Sequence, residues 1–298
     1  MALSISVDKV DENGKEILSY GTKEFPIAFF DDDLTKVMVP WHWHDELEIV
    51  LIIEGTVSMK IAGREFELNP GEGYFANSSI LHSAELKTLS GYQHALVFSP
   101  KIISQAADLV WKTCVDPVLN NPEIPFVRLD PMINWQKEII KLSEKAWESG
   151  AYEKKLYPLT VRESLTHVLF ILSEQTESYE NKSFNSQKEL QDEFRTKKTL
   201  SYIEKNYTSP ITINDIAKSA DISVSTCLRL FKEVLHTTPI NFLIKFRLQK
   251  AIQILISDPQ KAISEAAFQC GFSDASYFNR CFRKEYKTTP TEYLKRIH

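Results

Sequence analysis

Cysteine is scarce in this chain: there are four in 298 residues, and Cys114, Cys227, Cys270 and Cys281 form no C-x-x-C pair and no framework spacing. A disulfide scaffold is thereby excluded, and reduced, buried thiols in a cytoplasmic protein are the plain reading. Long apolar runs are also missing. The longest unbroken aliphatic stretch is Ile49 to Ile53, far short of the ~20 residues that span a bilayer, so no membrane partner is expected. Met1 to Lys15 is polar and acidic, and no signal peptide is read there. The chain carries no P-loop and no G-x-S-x-G motif, so the common phosphate-binding and hydrolase signatures are absent and no enzyme is expected. What is present is ordinary for a soluble protein: 43% apolar and 25% charged residues, in a length that suits about two domains.

Charge becomes informative once the chain is divided. Residues 194–298 carry 17 Lys+Arg against 9 Asp+Glu, a net +8, whereas residues 1–193 carry 18 against 31, a net −13, together giving the −5 of the whole chain. A basic tail on an acidic body suits a nucleic-acid-binding module tethered to another domain, although a basic face can also be merely solvated.

Up to about Pro100 the pattern is strand-like. Short apolar or alternating runs (Glu46–Ile53, Val57–Ile61, Glu65–Leu68, Tyr92–Phe98) are separated by Glu54-Gly55, Ala62-Gly63 and Pro70-Gly71-Glu72-Gly73, which reads as a β-sandwich or barrel. From Ile133 the period becomes helical. Ile139, Leu142, Ser143, Ala146 and Trp147 share one face, and Val161, Leu165, Val168, Leu169 and Leu172 share another. Glu174 to Glu193 is polar and reads as a linker, and helical periodicity resumes at Phe194.

The C-terminal part repeats itself. LRLFKEVLHTTPINFLIKFR at 228–247 aligns without a gap onto NRCFRKEYKTTPTEYLKRIH at 279–298, an offset of 51, pairing Arg229 with Arg280, Phe231 with Phe282 and Pro239 with Pro290. Upstream the offset is 50, matching Ala217 to Ala267 and Ser223 to Ser273, so the second copy holds one extra residue between its Ser and its Arg. Each copy reads as helix, tight turn, helix. The first helix runs Ile213 to Ala220, the turn is Asp221-Ile222, and Ser223 caps a second helix to about Leu235. In the second copy Ile263 to Cys270 precedes Gly271-Phe272, with Ser273 or Asp274 capping a helix to Tyr286. Cys227, Phe231 and Val234 form one buried stripe and Phe278 and Phe282 the other, leaving Arg229 and Arg280 facing outward. A helical bundle with no nucleic-acid role is the competing reading. Two copies at fixed spacing, each with a surface Arg, disfavour it.

The pattern A-x-x-A/C-x-I/F-S, R-x-F, T-T-P, repeated about 50 residues on, resembles the AraC/XylS family of transcription regulators, and GFSDASYFNRCF at 271–282 is especially close to the second family signature. The resemblance implies two helix-turn-helix units joined by a long helix, Pro239 to about Ser257, binding double-stranded DNA in successive major grooves. It places Ser225, Leu228 and Arg229, then Ala275, Ser276, Tyr277 and Arg280, against base edges. Lys232, Lys245, Arg283 and Lys284 are read as phosphate contacts. Leu228 stands where a polar residue is common.

A second constellation is Trp41-His42-Trp43-His44-Asp45-Glu46-Leu47-Glu48, with Gly55 and later His82. On one strand, residues 42, 44 and 48 share parity, so two imidazoles and a carboxylate would project from one face and the two Trp from the other, in outer-face packing or an interface. The spacing H-x-H-x-x-x-E-x6-G resembles the first cupin motif, and Pro70-Gly71-Glu72 with His82 a loose second one. The resemblance implies that His42, His44, Glu48 and His82 could hold a divalent metal such as Mn, Fe, Ni or Zn. Three readings stand: a pocket for a small effector, by resemblance a carbohydrate, with Tyr74 and His94 added to the four; a metal site; or a satisfied internal polar cluster. No cofactor is required by the first or the third.

The expected fold is thus multi-domain α+β. Residues 1–100 form a cupin-like β-barrel that binds effector, 101–178 a helical region able to support a homodimer, 179–193 a linker, and 194–298 an all-α double helix-turn-helix domain. The expected function is a cytoplasmic, effector-responsive transcription regulator, an activator that meets RNA polymerase. A metal-dependent cupin enzyme fused to a DNA-binding tail is the alternative.

Overall fold

Alternating side chains build the strands of the first half and a 3.6-residue period builds the helices of the second. The computed structural model describes residues 3–4, 15, 21–37, 39–106, 108–175 and 187–297. Contacts divide it into two units, Lys15–Leu190 and Gln191–His298.

In the first unit the strands are β1 (Ile27–Asp33), β2 (Val39–His42), β3 (Leu47–Glu54), β4 (Val57–Ile61), β5 (Arg64–Leu68), β6 (Gly73–Ala76), β7 (His82–Leu86), β8 (Tyr92–Phe98) and β9 (Phe126–Leu129). They form two antiparallel sheets, β1-β8-β3-β6-β9 and β2-β7-β4-β5. Val50, Ile52, Tyr74, Ala95 and Val97 from the larger sheet meet Val57, Met59, Ile61 and Leu68 from the smaller one in a core between them. This is the two-sheet β domain expected from the alternation, and it agrees with the cupin-like fold that the histidine motif's resemblance implied.

After the short α1 (Asp116–Leu119) come α2 (Asn134–Ala151) and α3 (Tyr157–Glu174). Their apolar faces, Ile139, Ala146 and Trp147 on α2 and Val161, Leu165, Val168, Leu169 and Leu172 on α3, cover the outer face of the five-stranded sheet through Ile27, Phe29, Ile49, Phe75 and Phe98. Gly150 lets α2 approach closely, since a Cβ there would lie 2.1 Å from the Phe29 ring. A boundary at residue 100 therefore falls inside one folded unit, because β9 pairs with β6 beyond it and both helices complete the sheet's second core. The apolar faces of these helices pack on the sheet of their own chain.

The second unit holds all but the first turn of α4 (Gln187–Asn206), then α5 (Ile213–Ser219), α6 (Val224–Val234), α7 (Pro239–Ser257), α8 (Ile263–Gln269), α9 (Ala275–Tyr286) and α10 (Pro290–Ile297). Helix begins within the expected linker 179–193: residues 187–193 belong to α4, and 179–186 lie outside the described residues. Each helix-turn-helix closes the same way. Ile222 N donates to Ala217 O and Phe272 N to Ala267 O, both at 3.1 Å, with a left-handed residue before each donor, Asp221 at φ 56° and Gly271 at φ 83°. The extra residue of the second copy lies in its turn, so the cap is Asp274, which accepts from Ser276 N and Tyr277 N; in the first copy it is Ser223. Cys227, Phe231, Phe278 and Phe282 are buried as expected, but Leu230 takes the place given to Val234, which is half-buried. Among the described residues no helix is long and apolar enough to cross a membrane.

Candidate functional site

His42 ends β2, His82 opens β7, and their strands pair so that the two residues stand opposite each other. Glu48 lies on β3, in the other sheet. The H-x-H-x-x-x-E run therefore does not lie on one strand, and the parity expectation is corrected. The chain passes from one sheet to the other at residues 43–46, and the side chains meet because the two sheets face each other. Trp43 is buried in this crossing.

His44, Glu48 and His82 are buried and His42 is half-buried. Ring centroids are 4.1 Å apart for His42 and His82, 5.3 Å for His44 and His82, and 5.7 Å for His42 and His44. Glu48 Oε2 is 2.8 Å from His82 Nε2 and 3.8 Å from His44 Nε2, and Tyr74 donates its hydroxyl to the same oxygen at 3.3 Å. Burial works to raise the Glu48 carboxyl, but the neighbouring His82 and the hydrogen bonds of His44 and His82 outweigh it and hold the group well below the usual carboxylate range.

The Nδ1 atoms explain how the rings are held. His42 Nδ1 is 2.8 Å from Pro40 O, His44 Nδ1 3.1 Å from Glu46 O, and His82 Nδ1 2.8 Å from Ile80 O. A carbonyl only accepts, so each Nδ1 donates to it and each Nε2 is left for a second partner, a carboxylate or a metal ion. An Nε2 meets Glu48 with a proton on it, and would meet a metal ion with its lone pair. Backbone-oriented imidazoles of this kind are also how metal-ligating histidines are aimed. One donor atom from each of the four residues lies within 4.8 Å of the others. Donors about 2.1 Å from one ion sit at most about 4.2 Å apart, so the set fits a divalent ion after closing by roughly half an ångström.

Of the other expected effector contacts, Tyr74 joins the cluster and His94 does not. His94 lies on β8 with the parity of Leu96 and Phe98, facing α2. Its ring stacks on Trp147 at 3.3 Å and 8°, and its Nδ1 is 3.1 Å from Glu144. A strand shows its parity in sequence, but not which of its two faces borders the sheet interior. Glu72 is a turn residue: it accepts from Asn69 N at 2.7 Å and pairs with Arg128 at 2.7 Å.

In the second unit, Ser276, Tyr277, Arg280, Arg283 and Lys284 are exposed on α9, with Ala275 half-buried at its start. The Arg280 guanidinium stands 5.8 Å above the Tyr277 ring, a cation–π arrangement that presents both together. On α6, Ser225, Leu228 and Lys232 are exposed. Arg229 is arranged differently from Arg280. It is half-buried and bound by Asp192 of α4 at 2.9 Å and by Glu233 one turn along α6. The two surface arginines that align in sequence are thus not equivalent. Sequence reading missed Asp192 because it fell in a stretch taken for linker. Lys245, expected on phosphate, pairs with Glu285 at 2.9 Å.

Residues 216–296 match a family model described as a helix-turn-helix domain, and residues 25–124 one described as an AraC-like ligand binding domain. The chain is 31% identical over 294 residues to the uncharacterised HTH-type transcriptional regulator YdeC of Bacillus subtilis, covering 96% of this chain and 97% of that one. It is 25% identical to the HTH-type transcriptional activator RhaR of Mannheimia succiniciproducens, over 87% and 88% of the two chains. With the melibiose operon regulatory protein of Escherichia coli K12 it shares 24% identity over 87% of this chain and 84% of the other.

Proposed function

The chain belongs to the AraC family of transcriptional regulators, and from that membership we propose that it is an effector-responsive activator. Its N-terminal unit would sense a sugar or similar small molecule at the cluster around Glu48. The observation that carries this reading is the convergence of His42, His44, Glu48, Tyr74 and His82 inside the β domain. Imidazoles, a carboxylate and a phenol gathered at one place suit a ligand rich in hydroxyls, which can both donate and accept. The names of the melibiose and RhaR relatives point the reading toward a sugar and toward activation.

The backbone-held Nδ1 atoms favour a second feature of the same cluster, a divalent metal held by His42, His44, Glu48 and His82. When bound, such an ion would offer a Lewis-acid contact to effector oxygens. The protein's own part is to hold three Nε2 lone pairs and one carboxylate toward a common point and to keep Tyr74 as a hydrogen-bond donor beside them. Protein purified without chelator or affinity tag is expected to contain about one divalent ion per chain, and Glu48→Gln to lose it. In the same preparation, a thermal-shift screen of sugars and sugar acids should find a ligand that raises the melting temperature. Metal-free protein that no such compound stabilises would reduce the cluster to an internal polar contact. A ligand consumed on incubation would favour the enzyme alternative.

On DNA, α6 and α9 would enter successive major grooves, so that one protomer covers roughly 20 bp in two blocks. Arg280, Ser276 and Tyr277 would read bases, with Ser225 and Leu228 in the other groove. Lys232, Arg283 and Lys284 would neutralise phosphates. Replacing any one of these three with alanine should weaken cognate and random DNA alike and lower the slope of log K against log salt by about 1. Effector binding would act by preferring one of two arrangements, of the DNA-binding unit or of a homodimer, and activation would add a contact to RNA polymerase.

A further inference from the structure

We infer that Arg247 and Gly271 lock the two helix-turn-helix units into one relative geometry, and thereby set the spacing between the DNA blocks the domain reads. For its consequence on DNA, the inference rests on the two-block reading above.

The connecting helix α7 gives each unit something to pack on: Phe242 meets Phe231 of α6 at 5.8 Å near one end. The same helix also packs against α5, α8 and α9, and a contact away from its axis resists rotation about it most directly. The second unit also hangs on a separate segment, Asp258 to Ala262, before α8 begins. A further contact away from the helix axis holds the angle more firmly.

Arg247, in the middle of α7, supplies it. Its Nε donates to Tyr207 O at 2.6 Å and its Nη2 to Ser209 O at 2.8 Å, tying down the segment that leads from α4 into the first helix-turn-helix. The same guanidinium stands 6.0 Å from the ring of Phe272, in the turn of the second. Gly271 brings that turn onto the same segment, sharing the Tyr207 carbonyl with Arg247. A Cβ at Gly271 would lie 2.5 Å from Tyr207 O and 2.8 Å from Thr208 O, and its φ is +83°. Phe272 then packs edge-on against Phe278 of α9 at 5.1 Å, while Tyr207 packs edge-on against Phe246 at 5.2 Å. One side chain and one missing side chain therefore join the entrance of the first unit to the turn of the second. Two parallel donors are required, which Arg has and Lys lacks.

Inserting one base pair between the blocks moves them by about 3.4 Å and rotates them by about 34°. A locked pair cannot follow that change, and an unlocked pair can. The test uses the full chain, a two-block duplex selected from a random library, versions with one or two base pairs inserted or deleted, and duplexes with either block scrambled. The wild type is expected to lose about tenfold or more per inserted base pair, and Arg247→Met to lose less than about threefold, with single-block affinities unchanged. If Arg247→Met keeps the wild-type spacing penalty, or weakens every duplex by one factor, the inference is overturned and Arg247 serves stability alone. If the wild type itself shows no spacing penalty, the two-block reading fails, and a distance measurement without DNA decides the lock by itself. Spin labels at Ser225→Cys and Ser276→Cys, in a chain with Cys114→Ser and Cys281→Ser, should give one narrow distance, broadened by Arg247→Met and by Gly271→Ala. An unchanged distribution in both variants would overturn the lock. Arg247→Lys, which retains charge and stem, serves the same comparison should Arg247→Met not fold.

Discussion

Arg280→Ala is expected to weaken binding to the cognate duplex by about 1–3 kcal/mol, a factor of roughly 5–150, and to relax one base position without lowering unfolding free energy. Arg280 is exposed on α9 and its partner is the Tyr277 ring, so removing it leaves no buried charge behind. Arg229→Ala should behave differently. It strips Asp192, whose side chain is 12% exposed, of its 2.9 Å partner, and a nearly buried carboxylate that loses its cation costs about 1–3 kcal/mol of stability. Arg195, 3.7 Å from Asp192, offsets part of that loss. Titrating cognate and random duplexes alongside urea unfolding separates the two cases. Equal loss on both DNAs for Arg280→Ala would remove its base-reading role. An unchanged unfolding midpoint for Arg229→Ala would remove the structural role of the Asp192 pair.

Trp147→Ala is expected to destabilise the N-terminal unit by about 3–5 kcal/mol, which is large against a total of about 5–15. Trp147 is 2% exposed on the face of α2 that meets the sheet. Its Nε1 donates to Phe30 O at 2.9 Å, its ring stacks on His94, and Tyr152 packs edge-on at 5.9 Å. Alanine would leave a cavity at the helix–sheet seam that neighbouring rings cannot fill without moving α2. Trp147→Phe keeps most of the volume and loses the hydrogen bond, so it should cost about 1 kcal/mol from that source. Urea unfolding with hydrogen exchange, which reads the two units separately, checks both variants. A Trp147→Ala loss under about 1 kcal/mol would mean that the helices are not integral to the sheet's core.

Much of the fold could be read from the residues in order. Tyr92–Phe98, the faces around Trp147 and Leu165, Ser223 as a cap, and Pro239 to Ser257 as one helix all lie where local rules place them. These features depend on period, capping and turn chemistry within a few residues. The four-residue β9 escaped because it is too short to show alternation and is strand only through pairing with β6, some 50 residues earlier. Helix over 187–193 escaped because that polar stretch is secured by tertiary partners, among them Asp192 with Arg229.

The scarcity of cysteine and the short aliphatic runs left this chain to be held by packing, and the packing separates what could be read from what could not. By itself the sequence determined two helix-turn-helix units, their turns and the first unit's cap, because repeat and spacing are properties of the chain in order, and resemblance to a known motif named the four residues of the histidine–glutamate cluster. Only the tertiary structure decided that the cluster spans two sheets, that His94 faces the helices, and that Arg229 is bound by Asp192 while Arg280 is exposed. Each of those depends on which surface of an element meets which neighbour. That choice is made by burial of whole faces across tens of residues, and no local pattern encodes it.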